Sequence, residues 1–514
     1  MRLDRRSTLA LLLGGGAATL LAACTSAAPP AAVTSTPGLS TSGGTLRVGV
    51  LGDLQNLDGH VTTGTDSRNR MWNTLTDLDD KLNPVPVLAE RLEVSPDARS
   101  MHLALRHGVQ FHTGRELTSA DIAWNITRLQ DPKVNAIYAN LTKPFVSVQT
   151  PDPYTVDVQF DAPNPFVVDA LPALPIIDPV TFQNSGPEVP VGTGPYQYVE
   201  WQQGDHLTLK KFPGYWDSGK PYVDELEFRI FTDPQAMITQ YEAGALDVAI
   251  QPALPDWVRL QKAQQDQALL NTDSGDYLAL TFNTNQPPTD NKVVRQALQY
   301  TLDRARFAAT VYQGVEKPLE LLWFETSPAY DAARNSQYPF DLERAQSLLG
   351  QAGQSSLALD YNYPSTSLEW GQLGQIWQAD LAKIGVTLTL KSADPVVLNT
   401  DLIRVGYQGV AVALGFFGQL HGGVVWTSPY YGPINNRSGF KDDAYTQLTL
   451  AVYTEADPVR RQQAYSNWND YVMDQSFVTS LATQYPRALA KPRVGGLVYN
   501  TGGTYLDLTG ARLA

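Results

Sequence analysis

The sequence predicts an α/β protein built from two large lobes. Helical and strand patterns alternate over residues 341–390, an order that is typical of α/β sheets. Near the middle of the chain, an apolar run is followed by two prolines and then by an amphipathic helical pattern, which indicates a change of structural unit. The chain of 514 residues is long enough for two large lobes, and its 43% hydrophobic and 18% charged residues are typical of a packed globular protein.

The passage between the lobes is predicted within residues 276–307. Tyr277–Phe282 is an apolar run that suits a buried strand, and Pro287-Pro288 must end it. A helix capped by Asp290 should follow. Its buried face is expected to carry Val294, Ala297, Leu298 and Thr301. Outside this face, we expect Lys292, Arg295, Gln296 and Arg304 to be exposed. We therefore expect lobe 1 to span residues 45–282 with a C-terminal return over 476–514, and lobe 2 to span 283–475.

Residues 1–23 resemble a bacterial export signal peptide. Arg2, Arg5 and Arg6 form a basic start, and the apolar run that follows is too short and too rich in glycine for a stable membrane-spanning helix. The sequence Leu21-Ala22-Ala23-Cys24 resembles a lipobox, so cleavage before Cys24 would leave a thiol for lipid attachment. The paired arginines also resemble a twin-arginine signal, and the choice between this export route and the general secretory route stays open.

Residues 24–44 are expected to form a flexible tether after the lipidated cysteine. They are rich in Ala, Pro, Ser, Thr and Gly and contain no charged side chain. The signal, Cys24 and the tether together predict a protein that is lipid-anchored to the cell membrane on its extracytoplasmic face.

The composition excludes several classes of function. Cys24 is the only cysteine, so an intramolecular disulfide and a cysteine-rich metal site are impossible. The net charge of −14, with dispersed Lys and Arg residues, argues against nucleic acid as a partner. The chain contains no sequence motif of a serine hydrolase, zinc protease or P-loop nucleotide-binding protein. We expect a binding protein without a cofactor and without enzymatic activity, although a secreted hydrolase with two distant carboxylates or a surface-sensing module remains an alternative.

The segment from Met101 to Leu129 contains the most specific pattern. Leu103 and Leu105 alternate with polar residues as in a strand, and Thr118-Ser119-Ala120-Asp121 predicts a capping box before a helix. His107 and His112 lack a third nearby ligand, so a metal site is not expected there. Further along, Val191–Tyr196 contains Gly-Thr-Gly, but no Lys-Ser/Thr follows it, so a phosphate-binding loop is excluded and a tight turn is predicted.

These segments resemble the extracytoplasmic solute-binding proteins of family 5, which serve ABC importers of the peptide and nickel type. The resemblance lies in Arg106–Leu129, in Val191–Tyr196, in Phe212–Trp216, where Phe212 stands at a position often occupied by Asn, and in the order Phe-Asn, Pro-Pro, Asp, Val-Arg-Gln-Ala-Leu after residue 281. It extends from Thr45 to the C-terminus. It implies a two-lobe fold like that of the periplasmic binding proteins (type II, large cluster-C type), with a hinge between the lobes. It also implies a monomer that captures a solute by lobe closure and delivers it to a membrane permease.

The resemblance places the ligand-specificity segment at residues 403–426. Relatives that bind oligopeptides have an aspartate there that pairs with the peptide ammonium, and alignment on Gly415 puts Gln419 at that position. A neutral amide cannot neutralise a buried ammonium, which argues against a general carrier of free-amine oligopeptides. The remaining candidate ligand-binding residues of the segment are Phe416, Phe417, His421 and Trp426, which suit stacking and hydrogen bonding to a peptide-like or other small polar solute. The segment would also suit a core strand and loop.

Four further candidates follow from the resemblance. Tyr138 and Arg404 match residues that line the cleft in the family, although both would also suit a surface or packing role. Tyr277 and Asn283 flank the predicted crossover, which borders the cleft. An oligosaccharide and a nickel chelate stay open as alternative ligands, and His421 is the only histidine of the second lobe available to such a chelate.

Overall fold

The structure is a computed structural model that describes residues 43–62, 65–79, 83–354, 356–415, 422–428, 432–433, 436–499 and 505–514. The predicted signal peptide, Cys24 and nearly all of the tether lie outside the described residues. So do four candidate ligand-binding residues, Phe416, Phe417, Gln419 and His421. Within the described part of the chain, no helix is both long enough and apolar enough to cross a membrane.

The β-strands are numbered in chain order. They are β1 (Thr45–Leu51), β2 (Thr76–Leu78), β3 (Pro84–Pro86), β4 (Ala89–Val94), β5 (Ser100–Leu105), β6 (Phe145–Asp152), β7 (Thr155–Phe160), β8 (Tyr196–Gln202), β9 (His206–Lys211), β10 (Glu225–Phe231), β11 (Val248–Ile250), β12 (Gln267–Leu270), β13 (Tyr277–Phe282), β14 (Leu357–Pro364), β15 (Val386–Ala393), β16 (Val410–Gly415), β17 (Val478–Thr483), β18 (Arg487–Ala490), β19 (Val494–Gly495), β20 (Val498–Tyr499), β21 (Leu506–Asp507) and β22 (Arg512–Leu513).

The α-helices are numbered in the same way. They are α1 (Thr65–Met71), α2 (Ser119–Gln130), α3 (Ala139–Thr142), α4 (Val167–Ala170), α5 (Pro179–Ser185), α6 (Pro234–Glu242), α7 (Leu254–Ala263), α8 (Lys292–Gln299), α9 (Arg304–Thr310), α10 (Leu342–Gln351), α11 (Leu368–Ala382), α12 (Pro395–Arg404), α13 (Val424–Thr427), α14 (Asp443–Thr454) and α15 (Pro458–Gln475). Short 3-10 helices cover Leu171–Ala173, Gly186–Glu188 and Arg334–Ser336.

The first lobe contains a seven-stranded sheet and a four-stranded sheet. The larger sheet has the order β12-β18-β11-β1-β10-β9-β8, in which β1 pairs in parallel with β10 and β11. Its alternating sequence buries Leu46 and Val48, as the period of a strand requires. The smaller sheet has the order β4-β5-β7-β6, and α2 packs on it through Ile122, Ile126 and Leu129. The predicted capping box is confirmed, because the backbone N–H of Thr118 donates to the carboxylate of Asp121 at 2.8 Å.

The turn at Gly192-Thr193-Gly194 is required by a close approach of two backbones. A Cβ atom at Gly192 would lie 2.3 Å from the carbonyl oxygen of Met71, and one at Gly194 would lie 2.4 Å from that of Arg70. Only glycine fits these positions without displacing the end of α1. The turn then enters β8, as the sequence predicts, and its glycines have a packing role in place of phosphate binding.

The second lobe is built on a five-stranded sheet with the order β15-β14-β16-β13-β17. Helix α11 packs on this sheet through the residues that its helical spacing predicts to be buried, Trp370, Leu373, Trp377 and Leu381. A large apolar side chain that becomes fully buried contributes roughly 1.5–3 kcal/mol to folding. Helices and strands therefore alternate in this lobe as predicted, and the protein has a two-lobe α/β fold.

The lobe boundaries differ from the predicted ones. Strand β13, Tyr277–Phe282, was expected to end the first lobe, but it pairs with β16 and β17 in the sheet of the second lobe. The C-terminal return is also later than residue 476, because β17 remains in the second sheet and β18 is the strand that joins the first. The chain therefore changes sheets at residues 271–276, the first crossover, and at residues 484–486, the second crossover. Both boundaries depend on pairing between strands that lie more than a hundred residues apart in the chain.

Two predictions about the helices are wrong. Asn291, not Asp290, caps α8, since its side chain accepts a hydrogen bond from the backbone N–H of Val293 at 2.9 Å. Arg295 and Arg304 are buried because backbone carbonyls accept their guanidinium N–H groups, namely those of Gln475, Thr289 and Asp290 for Arg295 and that of Ser480 for Arg304.

Candidate functional site

One edge of the second sheet gathers the elements that the sequence associates with ligand binding. Strand β14 runs parallel to β15 and β16, so the carboxyl ends of all three strands meet at this edge. The antiparallel partner β13 begins there, with Tyr277 opposite Gly415, and β17 ends there, with Thr483 opposite Tyr277. Both crossovers to the first lobe therefore leave from this edge. Open α/β sheets bind ligands at the carboxyl ends of parallel strands, where the chain changes direction.

The two lobes touch beside this edge through a glycine and a phenylalanine. Gly423 of the second lobe lies so close to Phe166 of the first that an added Cβ atom would be 2.3 Å from the Cβ of Phe166. The guanidinium carbon of Arg461 lies 4.9 Å from the centre of the Phe166 ring, a cation–π contact across the same boundary. Phe166 is only 4% exposed as a result. We call Phe166, Gly423 and Arg461 the lobe contact.

Aromatic side chains of the second lobe surround the lobe contact. The rings of Trp426 and Tyr453 are stacked, with 5.9 Å between their centres and an angle of 22° between their planes. The hydroxyl of Tyr465 accepts a hydrogen bond from the backbone N–H of Gly422 at 3.1 Å, which fixes the backbone next to Gly423. Trp426 is half-buried, so part of its ring is open to a bound molecule.

Carboxylates of the first lobe lie within electrostatic range of these tyrosines. Burial, and to a smaller extent the charge of Asp161, raises the pKa of Tyr453 to about 12. Burial also raises the pKa of Tyr465 to about 12, with an additional contribution from Asp169. Both tyrosines are therefore neutral hydrogen-bonding groups at physiological pH. Beside the guanidinium of Arg461, the region therefore presents aromatic rings and neutral hydroxyl groups.

The structure brings some of the predicted ligand-binding residues to this region. Tyr277 is fully buried at the start of β13, directly opposite Gly415, the residue of the specificity segment that ends β16. Tyr138 immediately precedes α3, which packs on α4 next to Phe166. Its ring is partly buried against the core of the four-stranded sheet. Trp426 is the last residue of the specificity segment and lies beside the lobe contact.

Two other predicted residues occupy different surroundings. Asn283 is fully buried, and its amide group donates to the backbone carbonyl of Tyr407 at 2.5 Å, so it ties the end of β13 to the loop before β16. Arg404 is exposed at the end of α12. Asn283 and Val410 are at the end of the sheet opposite Tyr277 and Gly415, so the structure gives Asn283 a scaffolding contact remote from the lobe contact.

His107 and His112 pack within the first lobe. Nε2 of His112 donates to the carbonyl of Gly194 at 3.1 Å, and the backbone N–H of Gly192 points at Nδ1 at 3.4 Å. Burial lowers the pKa of His112 to about 4, so this imidazole is neutral and holds the glycine turn. His107 packs against Tyr154, with 3.8 Å between the ring centres and 33° between the ring planes. Among the described residues, no group of His, Cys, Asp and Glu has the arrangement of a metal site.

Sequence reasoning missed Phe166, Tyr453, Arg461 and Tyr465. Phe166 lies in the proline-rich stretch between residues 163 and 179, which shows neither helical nor strand periodicity. The other three residues belong to α14 and α15, where aromatic residues at helical spacing are expected in a core. The one signal available was the Gly422-Gly423 pair, because adjacent glycines after an apolar strand indicate close approach of another backbone or side chain.

Comparison with known proteins identifies the family that the sequence resembles. The family model described as bacterial extracellular solute-binding proteins, family 5 middle, matches residues 83–418. The glutathione-binding protein GsiB of Salmonella typhimurium is 26% identical over 443 residues, which are 82% of this chain and 85% of that protein. GsiB of Escherichia coli is 25% identical over 442 residues, with the same coverage.

Solved structures share the fold over nearly the whole chain. The periplasmic binding protein AgaA from A. tumefaciens, solved in complex with agropinic acid, has a TM-score of 0.79 and 25% identity, covering 92% of this chain and 99% of its own. The ABC transporter substrate-binding protein CtaP from Listeria monocytogenes has a TM-score of 0.82 and 24% identity, with the same coverage of both chains.

Proposed function

Because this chain belongs to the bacterial extracellular solute-binding proteins of family 5, we propose that it captures a small peptide-like solute between its lobes and delivers it to the permease of an ABC importer. The observation that carries the proposal is the lobe contact. Two lobes joined by two crossovers at one sheet edge meet again beside that edge, so rotation about the crossovers would open and close the space next to it.

The solute class is supported by the surroundings of the lobe contact. The half-buried ring of Trp426, stacked on Tyr453, offers aromatic surface, and the neutral Tyr465 holds the backbone next to Gly423, so the described part of the site favours a solute with a group that can stack. The glutathione-binding relatives bind a solute of this kind. Gln419 stands where oligopeptide binders have an aspartate, which favours a solute that does not bury a free ammonium at that position.

Capture without chemical conversion completes the proposal. A solute-binding protein needs two lobes that enclose the solute and a hinge that lets them open. The permease with its ATPase supplies the energy for transport. We propose that the chain acts as a monomer without enzymatic activity, exported and held at the membrane by a lipid on Cys24. Anchoring would keep the closed, loaded form close to its permease.

Equilibrium dialysis of the purified protein tests the function. The protein is dialysed against separate pools of glutathione and short peptides, of oligosaccharides, and of nickel–histidine chelate, and the retained solute is identified by mass spectrometry. We expect retention of one peptide-like solute per chain, with unchanged mass. Retention only from the sugar or nickel pool would refute the solute class, and a converted solute would refute the absence of catalysis.

A matched pair of tryptophan variants locates the site. Trp426→Ala should weaken retention of the captured solute by roughly tenfold, since stacking of one aromatic ring contributes about 1.5 kcal/mol. Trp201→Ala removes an equally half-buried tryptophan from β8 of the first lobe and should leave retention unchanged. Equal losses in the two variants would mean that the solute does not bind at the lobe contact.

A further inference from the structure

A buried carboxylate lies at the second crossover. Glu316 is 3% exposed and belongs to a loop that runs beside β17, where Leu319 donates its backbone N–H to the carbonyl of Leu481 at 3.1 Å. Its Oε2 accepts the hydroxyl of Thr483 and the backbone N–H of Tyr485, both at 3.0 Å. One carboxylate oxygen therefore holds the last residue of β17 and the middle residue of the crossover.

The other carboxylate oxygen reaches the first lobe. Nη1 of Arg487, on β18, lies 3.4 Å from Oε1 of Glu316. Arg487 is fixed to the first lobe, because its Nε donates to the carbonyl of Pro252 at 3.1 Å and its backbone carbonyl accepts from Gln251. Glu316 is fixed to the second lobe by the contacts of its loop. The Glu316–Arg487 pair therefore joins the two lobes at the residue that directly follows the second crossover.

The charge of this pair depends on pH within an accessible range. Burial raises the pKa of Glu316 to about 7, although the charge of Arg487 and the hydrogen bonds of Thr483 and Tyr485 oppose the rise. The other charged and titratable groups nearby are Tyr312 after α9, Tyr485 itself, and Lys317 and Glu325 on the same loop. Burial raises the pKa values of both tyrosines, so they stay neutral across this range.

We propose that the Glu316–Arg487 pair is a latch across the second crossover, which favours the closed arrangement of the lobes when Glu316 is ionised and releases it when Glu316 is neutral. Rotation of the lobes about residues 484–486 must change the distance between a group fixed to one lobe and a group fixed to the other. A buried charge that loses its partner is costly, so the ionised pair resists that rotation. A protonated Glu316 keeps its hydrogen bonds within the second lobe and loses only the charge-assisted bond to Arg487.

The latch depends on the lobe movement of the proposed function, but not on the identity of the solute, so it is tested on the solute-free protein. Spin labels are placed at Val146→Cys in the first lobe and Glu343→Cys in the second, both exposed positions, in a Cys24→Ser background. Distance distributions between the labels are measured by pulsed electron paramagnetic resonance from pH 8 to pH 5.5. Thermal unfolding of each variant confirms that it is folded.

We expect the long-distance population to rise at least about threefold between pH 8 and pH 5.5. Glu316→Gln should show the higher population at every pH, because the amide retains hydrogen bonding without charge. Glu325→Gln, which removes an exposed charge from the same loop, should behave like the wild type. A pH response that persists unchanged in Glu316→Gln, or a wild type that closes with added glutathione or peptide but does not open with acid, would overturn the latch. Distances that never change under any condition would overturn both the latch and the lobe movement.

Discussion

Replacement of Gly423 by alanine should hold the lobes apart while leaving each lobe folded. The added Cβ atom would lie 2.3 Å from the Cβ of Phe166 and 2.6 Å from its Cγ, whereas unstrained carbon contacts are about 3.5–4.0 Å. The two groups must therefore separate by about 1.2 Å or more at this point. Since Phe166 and Gly423 belong to different lobes, rotation at the crossovers can provide that separation.

We expect Gly423→Ala to make lobe closure less favourable and to leave the free energy of unfolding of each lobe unchanged. Overpacking a tight contact typically costs about 1–3 kcal/mol, and a cost of 2 kcal/mol shifts the open-to-closed ratio by about thirtyfold. Small-angle X-ray scattering should show a larger radius of gyration for Gly423→Ala than for the wild type, and the melting temperature should change little. The double variant Gly423→Ala with Phe166→Gly removes the opposing atoms and should restore the smaller radius.

Two other glycines supply controls. Gly350→Ala adds a Cβ atom on α10 with no other atom within 4 Å, so both the radius and the melting temperature should stay unchanged. Gly422→Ala would instead place its Cβ atom 2.3 Å from Val452 and 2.4 Å from Tyr465, both in the second lobe, and should lower the melting temperature. A Gly423→Ala variant that scatters like the wild type, or that melts like Gly422→Ala, would refute the assignment of this residue to a contact between moving lobes.

Three further predictions concern pH, the C-terminus and anchoring. Because burial lowers the pKa of His112 from 6.5 to about 4, the unfolded chain binds more protons at this residue between these values, and the contribution of His112 to stability should fall by about 2 kcal/mol from pH 7.5 to pH 5. In denaturant unfolding, the change in stability between these two pH values should therefore differ by that amount between the wild type and His112→Gln. Arg70→Met should make the last ten residues sensitive to protease while the native chain resists, since Arg70 bonds Asp507 at 2.5 Å and the carbonyl of Leu506 at 2.9 Å. Cys24→Ser should move the protein from the membrane fraction to the medium, and an unchanged fraction would contradict lipid anchoring.

Local patterns predicted local structure well. The capping box at Thr118 and Asp121, the glycine turn before β8 and the buried face of α11 all depend on residues close together in the chain, where propensity and hydrogen-bonding geometry decide the outcome. Burial of Arg295 was not predictable in this way, because the carbonyl groups that accept its N–H groups include Gln475, which is far away in sequence. A charged residue on a helix is ordinarily expected outside.

The site was only partly predictable for the same reason. The sequence located the specificity segment and Trp426, because the family resemblance covers them. It did not predict that Phe166 would meet Gly423, since that contact joins residues more than 250 positions apart and neither residue carries a functional signature. The same holds for Glu316 and Arg487, whose pairing depends on the sheet membership of β17 and β18.

The measurement that most directly tests the central claim is small-angle X-ray scattering combined with calorimetry on the purified protein, titrated with glutathione and with the solute identified by dialysis. We predict that a peptide-like solute binds at one site per chain and reduces the radius of gyration of the protein. Gly423→Ala should weaken this binding and block the reduction in radius. Tight binding with identical scattering curves for the free and loaded protein, in both the wild type and Gly423→Ala, would contradict capture by lobe closure.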